Sequence, residues 1–485
     1  MAIEAVAAEP EPEQANKVAV EEDLLPEFTM ADEAPECSLA AGMGQYEYEF
    51  VERKASVVEG GLSGEALLAA GLACSDAHWR QCSLAVGEQN CEFMRKKGRA
   101  MGLDNTHRGE ATRLYGPVAY KVWLESFGMY PLPMVKRVKQ FWTSMKTWLS
   151  ENFPEAYRTL CKGVSEAQLK SAEDDLGFKL PMPTKLLYRF CNAQLPFSED
   201  HDTNKSISTH GLIGGYAFYD HWVNVHLSPL EQIVEETKDF YQEFPDVFHG
   251  RKFIVVATSW FRPKTFLLDC SNGELYVGTY NLPIGGMLPC VPKALIKPAE
   301  NDLALDGLLL WLEEHLRRLQ NGMIKTRMLM TSRYISLYPE APPSCSSAVT
   351  NGIKVRSSAV FVPEHPGGPG EKFMFTYSIR MSVPEACMLG GVYYSSCQLS
   401  SRHWTIRSCD RVVSDVSGGG VIGQYPVLLP GEDEFVYESC TPLPKVPGSV
   451  EGSFSFVPGK LIRPEGKPFE VMVAPFPLEV PEYIF

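Results

Sequence analysis

Between residues 345 and 485 helical periodicity disappears, and short alternating apolar and polar runs separated by Gly, Pro, Asn and Ser clusters replace it. Successive side chains of a strand point to opposite faces, so this alternation marks half-buried strands. Candidate strands are Val349–Phe361, Lys372–Met381, Val392–Leu399, His403–Cys409, Arg411–Ser417, Glu434–Glu438, Ser453–Val457 and Pro468–Val473. Short strands joined by regular turns predict an antiparallel sandwich or barrel, an all-β unit over residues 340–485.

Upstream the periodicity changes. Residues 150–325 read as a mixed α/β unit. Ser165-Glu166-Ala167-Gln168 has the form of a capping box, which predicts a helix to about Leu176. Leu180-Pro181-Met182-Pro183 is expected to stop it, and Lys185–Cys191 to begin another helix. Phe253–Thr258 and Thr265–Asp269 read as buried strands, with a turn at Ser271-Asn272-Gly273 and a returning strand at Glu274–Gly278. Leu303–Leu319 reads as a helix whose core stripe is Leu305, Leu308, Leu309, Leu312 and Leu316. A Pro-containing bridge at Leu337–Ser344 is expected to join this unit to the strands that follow.

Residues 61–148 read as helical. Val138, Trp142, Met145 and Leu149 fall on one helical stripe, and Pro131 and Pro133 are expected to break the chain before it. Residues 1–60 hold fifteen Asp/Glu against three Lys/Arg, a net of −12 within the chain's total of −15. A segment so polar buries too little apolar surface to offset its ordering entropy, so disorder is expected there.

The charge left for the remaining 425 residues is only −3, so an overall basic footprint for nucleic acid is absent. The start Met-Ala-Ile-Glu continues acidic and predicts no secretory signal, and no apolar run is long enough for a membrane span. Thirteen cysteines, an odd number without a Cys-x-x-Cys pair, fit free thiols in the cytoplasm or nucleus better than a disulfide framework.

Few residues point to chemistry. Gly418-x-Gly420-x-x-Gly423 has the spacing of a phosphate-cradling loop, but Pro426 and the strand-like Gln424–Leu429 follow it where a helix is needed. The other reading is a turn requiring glycine. Arg402-His403-Trp404 offers a cation beside two aromatic groups for a ligand, or packing by alternate side chains. His221 and His226 lack a third metal ligand, and Glu313-Glu314 reads as a solvated helix face. No His-Glu-x-x-His, Gly-x-Ser-x-Gly or Walker loop occurs, so the expectation is a binding protein with no catalytic residue, metal or cofactor.

Several stretches carry resemblances to known families. Ser401-Arg402-His403-Trp404, Gly418–Leu428, Leu429-Pro430-Gly431-Glu432, Tyr437-Glu438-Ser439 and Pro447–Phe454 resemble an ApaG domain, which implies an immunoglobulin/fibronectin-III-like sandwich. Leu180-Pro181-Met182-Pro183, Phe253–Ala257 and Leu267-Leu268-Asp269 resemble the SUKH superfamily, usually binding modules. The pairing resembles plant F-box proteins with an ApaG tail, carried by Tyr130–Val138, Leu310–His315 and Phe476–Phe485. An F-box is only partly present, as Leu62–Leu72 and as Asp76–Cys82, which resembles the end of the motif.

The combined expectation is a multidomain α+β protein: a helical N-terminal region with a degenerate F-box, a SUKH-like α/β domain and an all-β ApaG sandwich. The resemblance implies the substrate-recognition subunit of an SCF-type cullin–RING ubiquitin ligase. Leu67 and Trp79 would then contact a Skp-type adaptor, and the folded domains would bind a protein substrate. The alternative is a ligand-binding or scaffold protein that has lost adaptor docking.

Overall fold

The computed structural model describes residues 127–195, 210–218, 221–245, 250–259, 264–278, 287–297, 304–329, 332–364 and 372–483. The acidic leader, the partial F-box and the expected adaptor contacts Leu67 and Trp79 lie outside these residues.

Helix α1 (Leu132–Asn152) begins directly after Pro131, with Pro133 in its first turn. Proline is tolerated there because the first-turn N–H groups have no intrahelical acceptor, so the chain breaks at residues 128–131 as expected and the proline pair also starts the helix that follows. Val138, Trp142, Met145 and Leu149 are all buried, as their spacing predicts. A one-turn helix α2 (Pro154–Tyr157) and a short strand β1 (Leu160–Lys162) lead to α3 (Glu166–Leu176). Both halves of the capping box form: Ser165 accepts from the Gln168 amide, and the Gln168 side chain accepts from the Ser165 amide.

Helix α3 ends at Gly177, whose φ of +78° makes a left-handed cap. Leu180-Pro181-Met182-Pro183 therefore does not stop α3. It starts α4 (Met182–Phe190), with Pro181 at the N-cap. Strand β2 (Cys191–Gln194) then pairs with β1.

The chain continues as β3 (Gly214–Phe218), β4 (His221–Leu227), α5 (Leu230–Glu243), β5 (Phe253–Ser259), β6 (Thr265–Asp269), β7 (Leu275–Gly278), β8 (Leu288–Pro289), α6 (Gly307–Gln320), β9 (Lys325–Leu329) and β10 (Ser332–Ser336). These strands form one eight-stranded sheet in the order β8-β7-β6-β5-β4-β3-β10-β9, antiparallel except where β10 meets β3. The central strand β5 is buried along its whole length because both sheet faces are covered. Ile254 and Val256 face the main core with α1, α4 and α6, whereas Phe253 and Val255 pack with Phe240 of α5.

Two sequence boundaries shift. Residues 325–336 supply the last two strands of this sheet, beyond the expected limit at 325. Helix α1, expected within the preceding region, packs on α4 and α6 in the same core. The carboxylate of Glu313, expected to be solvated, accepts two hydrogen bonds from Arg137 at 2.7 and 2.6 Å and clasps α6 to α1. Leu305 lies before α6, in an isolated bridge to Lys297, while Trp311 and Leu319 join the helix's buried stripe.

From residue 345 the fold is all-β, as predicted. One sheet has the order β11 (Cys345–Thr350), β12 (Ile353–Phe361), β13 (Phe373–Ser382) and β19 (Phe435–Leu443). A separate hairpin comprises β14 (Cys387–Leu389) and β15 (Val392–Tyr394). The second sheet is built on β16 (Cys397–Ser408), flanked by β17 (Arg411–Gly419) and β20 (Gly448–Lys460). Strand β18 (Val427–Leu428) pairs with β16, while β21 (Arg463–Pro464) and β22 (Phe469–Leu478) pair with β20. Ile353, Val355, Phe375 and Ile379 of the first sheet close on Leu399, Trp404, Phe454, Val471 and Phe476 of the second.

The strand boundaries needed three corrections. The run Val349–Phe361 is a hairpin, turning at Asn351-Gly352 with φ of +53° and +84°. Asn-Gly suits this turn because both residues tolerate the left-handed region. The run Val392–Leu399 divides between β15 and β16. Strand β20 runs through Gly448 and Gly452, which look like breakers; a Cβ on Gly452 would lie 1.9 Å from the His403 carbonyl oxygen, so the close approach of β16 demands glycine.

Candidate binding site

Strand β16 positions three predicted site residues and sends them in different directions. Trp404 is only 3% exposed and packs edge-on against Tyr377, Phe454 and Phe476. It is a core residue, and its place is set by strand alternation. His403 lies on the outer face, where its Nε2 is 3.0 Å from Asp415 Oδ1 of β17. The imidazole holds the Asp415 carboxyl below its ordinary range. Arg402 reaches across to the glycine segment, and its Nη1 donates to the Gly420 carbonyl at 2.9 Å.

The three glycines act for separate reasons. Gly418 faces Arg402 across the ladder, and a Cβ there would sit 3.0 Å from the guanidinium Nη1. Gly420 has φ +58° and Gly423 φ +74°, both in the region that penalises a side chain. The amide of Gly420 donates to Ser400, while Val421 and Gln424 donate to each other's carbonyls. The residues that follow form β18. Arg402 and the glycines are thus brought together as a strand-end turn whose carbonyls face the cation. No helix N-terminus stands behind it, so the geometry matches the turn reading.

Strand β17 pairs only with β16 among the described residues, which leaves its other edge at the rim of the sheet. Val412, Val413 and Val416 are exposed along it, and Ile422 and Tyr425 are exposed in the adjoining turn. Unpaired strand edges offer a row of backbone donors and acceptors to an extended segment. A shallow cleft of about 200 Å³ lies elsewhere on the sandwich, lined by Val383, Leu428, Leu429, Glu432, Asp433 and Phe435 among others. Among the described residues no group of His, Cys, Asp and Glu could hold a metal ion.

The polar cluster between the two folded units was not anticipated. Tyr216 of β3 donates to Glu364 Oε1 at 2.5 Å and accepts from Lys264 Nζ at 2.9 Å. Burial pushes the Lys264 ammonium below its ordinary range, against the opposing charge of Glu364. Glu438 of β19 accepts from the Ala217 amide and from Tyr334 Oη at 3.1 and 2.9 Å. The expected bridge carries Glu340, which pairs with Arg327, Arg356 and Arg380 at 2.6, 2.8 and 3.1 Å. Burial alone would raise the Glu340 carboxyl, but Arg380 and Arg327 together bring it down to about 2. The bridge is therefore built into the joint between the sheets. A visible signal was available: Arg380 and Glu438 are charges flanked on both sides by uncharged residues in strand-like sequence.

Among the described residues no helix is long and apolar enough to cross a membrane. Residues 364–458 match the ApaG domain family. Over 374 residues the chain is 49% identical to the F-box protein SKIP16 of Arabidopsis thaliana, which covers 76% of this chain and 84% of that protein. F-box only protein 3 of Homo sapiens is 25% identical over 348 residues, 71% of this chain and 66% of that protein. Protein ApaG of Anaeromyxobacter dehalogenans is 39% identical over 137 residues, 28% of this chain and 96% of that protein. With its β-rich C-terminal part matching ApaG and the similarity to SKIP16 extending well beyond it, the chain belongs to the family of F-box proteins that carry a C-terminal ApaG domain.

Proposed function

We propose that this chain is the substrate-recognition subunit of an SCF-type cullin–RING ubiquitin ligase and acts by binding rather than by catalysis. The observation that carries the reading is the 49% identity to an F-box protein across 84% of that protein's length. In this role a Skp-type adaptor docks on the region holding Leu67 and Trp79, and the folded part holds the target. Catalysis belongs to the partner enzymes; the receptor raises the local concentration of target lysines near them.

The target surface we assign is the rim of the second sheet: His403 on the outer face, Arg402 with the turn Gly418–Gly423 on the face that Trp404 shares, and the edge of β17 that no described strand pairs. Arg402 and His403 supply donors, and Val412 and Val416 supply apolar contact beside unpaired backbone. Trp404 supports this surface from beneath. The eight-stranded α/β unit, with its SUKH-like reading, is the second binding module.

The test is co-purification of the full chain with a Skp-type adaptor and cullin, followed by ubiquitination of captured proteins. The expected result is a stoichiometric complex whose substrate capture falls at least about tenfold in the Arg402→Ala/His403→Ala variant while adaptor binding is unchanged. A full-length chain that forms no adaptor complex would remove the receptor reading. Undiminished capture by the double variant would move the target surface elsewhere.

A further inference from the structure

We propose that Cys387 and Cys397 are a redox-responsive pair whose oxidation to a disulfide clips the β14–β15 hairpin to the sandwich. Both side chains are buried in the sandwich core, and their Sγ atoms lie 2.8 Å apart. That separation is closer than two unlinked sulfurs ordinarily sit, and a small displacement brings them to the ~2.0 Å of a disulfide. The other described thiols include Cys409, which is exposed and whose Sγ lies 3.9 Å from the Val446 carbonyl oxygen. It serves as an internal reference.

The two cysteines sit on unequal supports. Cys397 opens β16, where it is in register with Leu428 of β18 and Pro458 of β20. Cys387 opens β14, which pairs only with β15 among the described residues, around a Gly390-Gly391 turn with φ of +53° and +86°. A hydrogen bond from the Met388 amide to the Asn351 carbonyl oxygen, 3.0 Å, also ties the hairpin down. Met388, Val392 and Tyr393 face outward, Tyr393 at 71% exposure. A two-stranded hairpin has little stability of its own, so it opens more readily than the sheets beneath it. Its local opening admits a small oxidant to the thiols without global unfolding.

The chemistry balances with hydrogen peroxide as the oxidant. The Cys387 sulfur, as thiolate, attacks one peroxide oxygen. The O–O bond breaks, a sulfenic acid forms, and the departing hydroxide takes up the thiol proton as water. The Cys397 sulfur then attacks the sulfenic sulfur; the S–S bond forms, and the S–OH oxygen leaves as a second water with the Cys397 proton. Two thiols and one peroxide give one disulfide and two waters, with two electrons passing from sulfur to oxygen. A thiol reductant reverses the step by exchange. The closed loop restrains the hairpin and the apolar tip it carries.

The experiment uses the full chain under native conditions, with graded hydrogen peroxide, alkylation of remaining thiols, trypsin and mass spectrometry. Both cysteines fall in one tryptic segment, Met381–Arg402, which contains no other Lys or Arg. The expected product is that peptide lighter by two hydrogens, unalkylated, and restored by a thiol reductant. Hydrogen exchange across residues 387–397 should slow by about tenfold or more in the oxidised chain. In Cys397→Ser, Cys387 should stop at a sulfenic acid that dimedone traps. The proposal is overturned if the segment keeps two alkylatable thiols after Cys409 is fully oxidised. It is equally overturned if Cys387 or Cys397 is recovered linked to a different cysteine instead.

Discussion

The guanidinium of Arg380, fully buried in β13, lies 3.1 Å from the Glu340 carboxylate in the segment that joins the two folded units. Its Nη2 also donates to the Pro339 carbonyl and to Ser358 Oγ, at 3.1 and 2.8 Å. A buried cation with one close counter-charge depends on it, because removing a single partner leaves the other charge desolvated and uncompensated. Glu340→Gln should therefore destabilise the chain by about 3–5 kcal/mol in urea unfolding. A loss below about 1 kcal/mol would mean that water or Glu434 takes over the pairing.

Tyr216 links Lys264 to Glu364 across the joint. Tyr216→Phe keeps the ring and removes the bridging hydroxyl, leaving both buried charged groups short of a partner. The expected cost is about 1–3 kcal/mol. Because the contact spans the two units, unfolding followed by tryptophan fluorescence should broaden or separate into two steps. A single unshifted transition would show that the apolar contacts of Val362 and Met374, which are buried in the same core as the α/β unit, suffice.

Asp306 does two jobs with one carboxylate. Its Oδ1 caps α6 by accepting from the Leu309 amide at 2.9 Å, and its Oδ2 accepts from the Thr184 amide and hydroxyl at 3.0 and 2.7 Å. Burial pushes the carboxyl upward in spite of these bonds. Asp306→Ala should cost about 2 kcal/mol or more, beyond an ordinary cap, because the Thr184 donors are orphaned as well. Asp306→Asn should recover part of this in thermal melts.

Acid stability should show two windows. His315 is buried against Trp311, and its Nε2–H donates to the Leu212 carbonyl at 3.0 Å. Burial lowers its pKa from 6.5 to about 4, so the folded state favours neutral imidazole. Its contribution is complete above 6.5 and is lost as pH falls towards 4. Glu340, lowered from 4.5 to about 2, contributes above 4.5 and loses that contribution as pH falls towards 2. Urea midpoints measured against pH should show the upper window vanish in His315→Gln while the lower one persists.

Gly420→Ala adds a Cβ where φ is +58° and the Gln424 carbonyl oxygen would be 2.5 Å away. The expected cost is about 1–3 kcal/mol, with loosening of the Arg402 contact. Gly423→Ala, at φ +74° with open space around it, should cost less. Equal effects on chemical denaturation would contradict the separate roles of the two glycines.

Local signals were legible wherever the deciding interaction lies within a few residues. The capping box at Ser165 and the stripe from Val138 to Leu149 required no knowledge of distant chain. The Asn351-Gly352 turn was also written locally but was masked by the apolar residues on either side. Strand β16 could not be bounded in the same way. Its polar stretch Ser400-Ser401-Arg402-His403 looks like a break, and it remains a strand because β17 and β20 satisfy its backbone from both sides.

For the described residues the amino-acid order alone determined the class of two segments, mixed α/β and then all-β, because periodicity and turn chemistry act over short distances. Tertiary structure decided which glycines face a neighbouring backbone, which of three consecutive residues at 402–404 enters the core, and that Glu340 meets three arginines. Those outcomes depend on strand register and on the docking of two sheets, which bring together groups far apart in the chain. No local pattern encodes such a meeting, because its free energy comes from burial and charge pairing that exist only once both surfaces are in place.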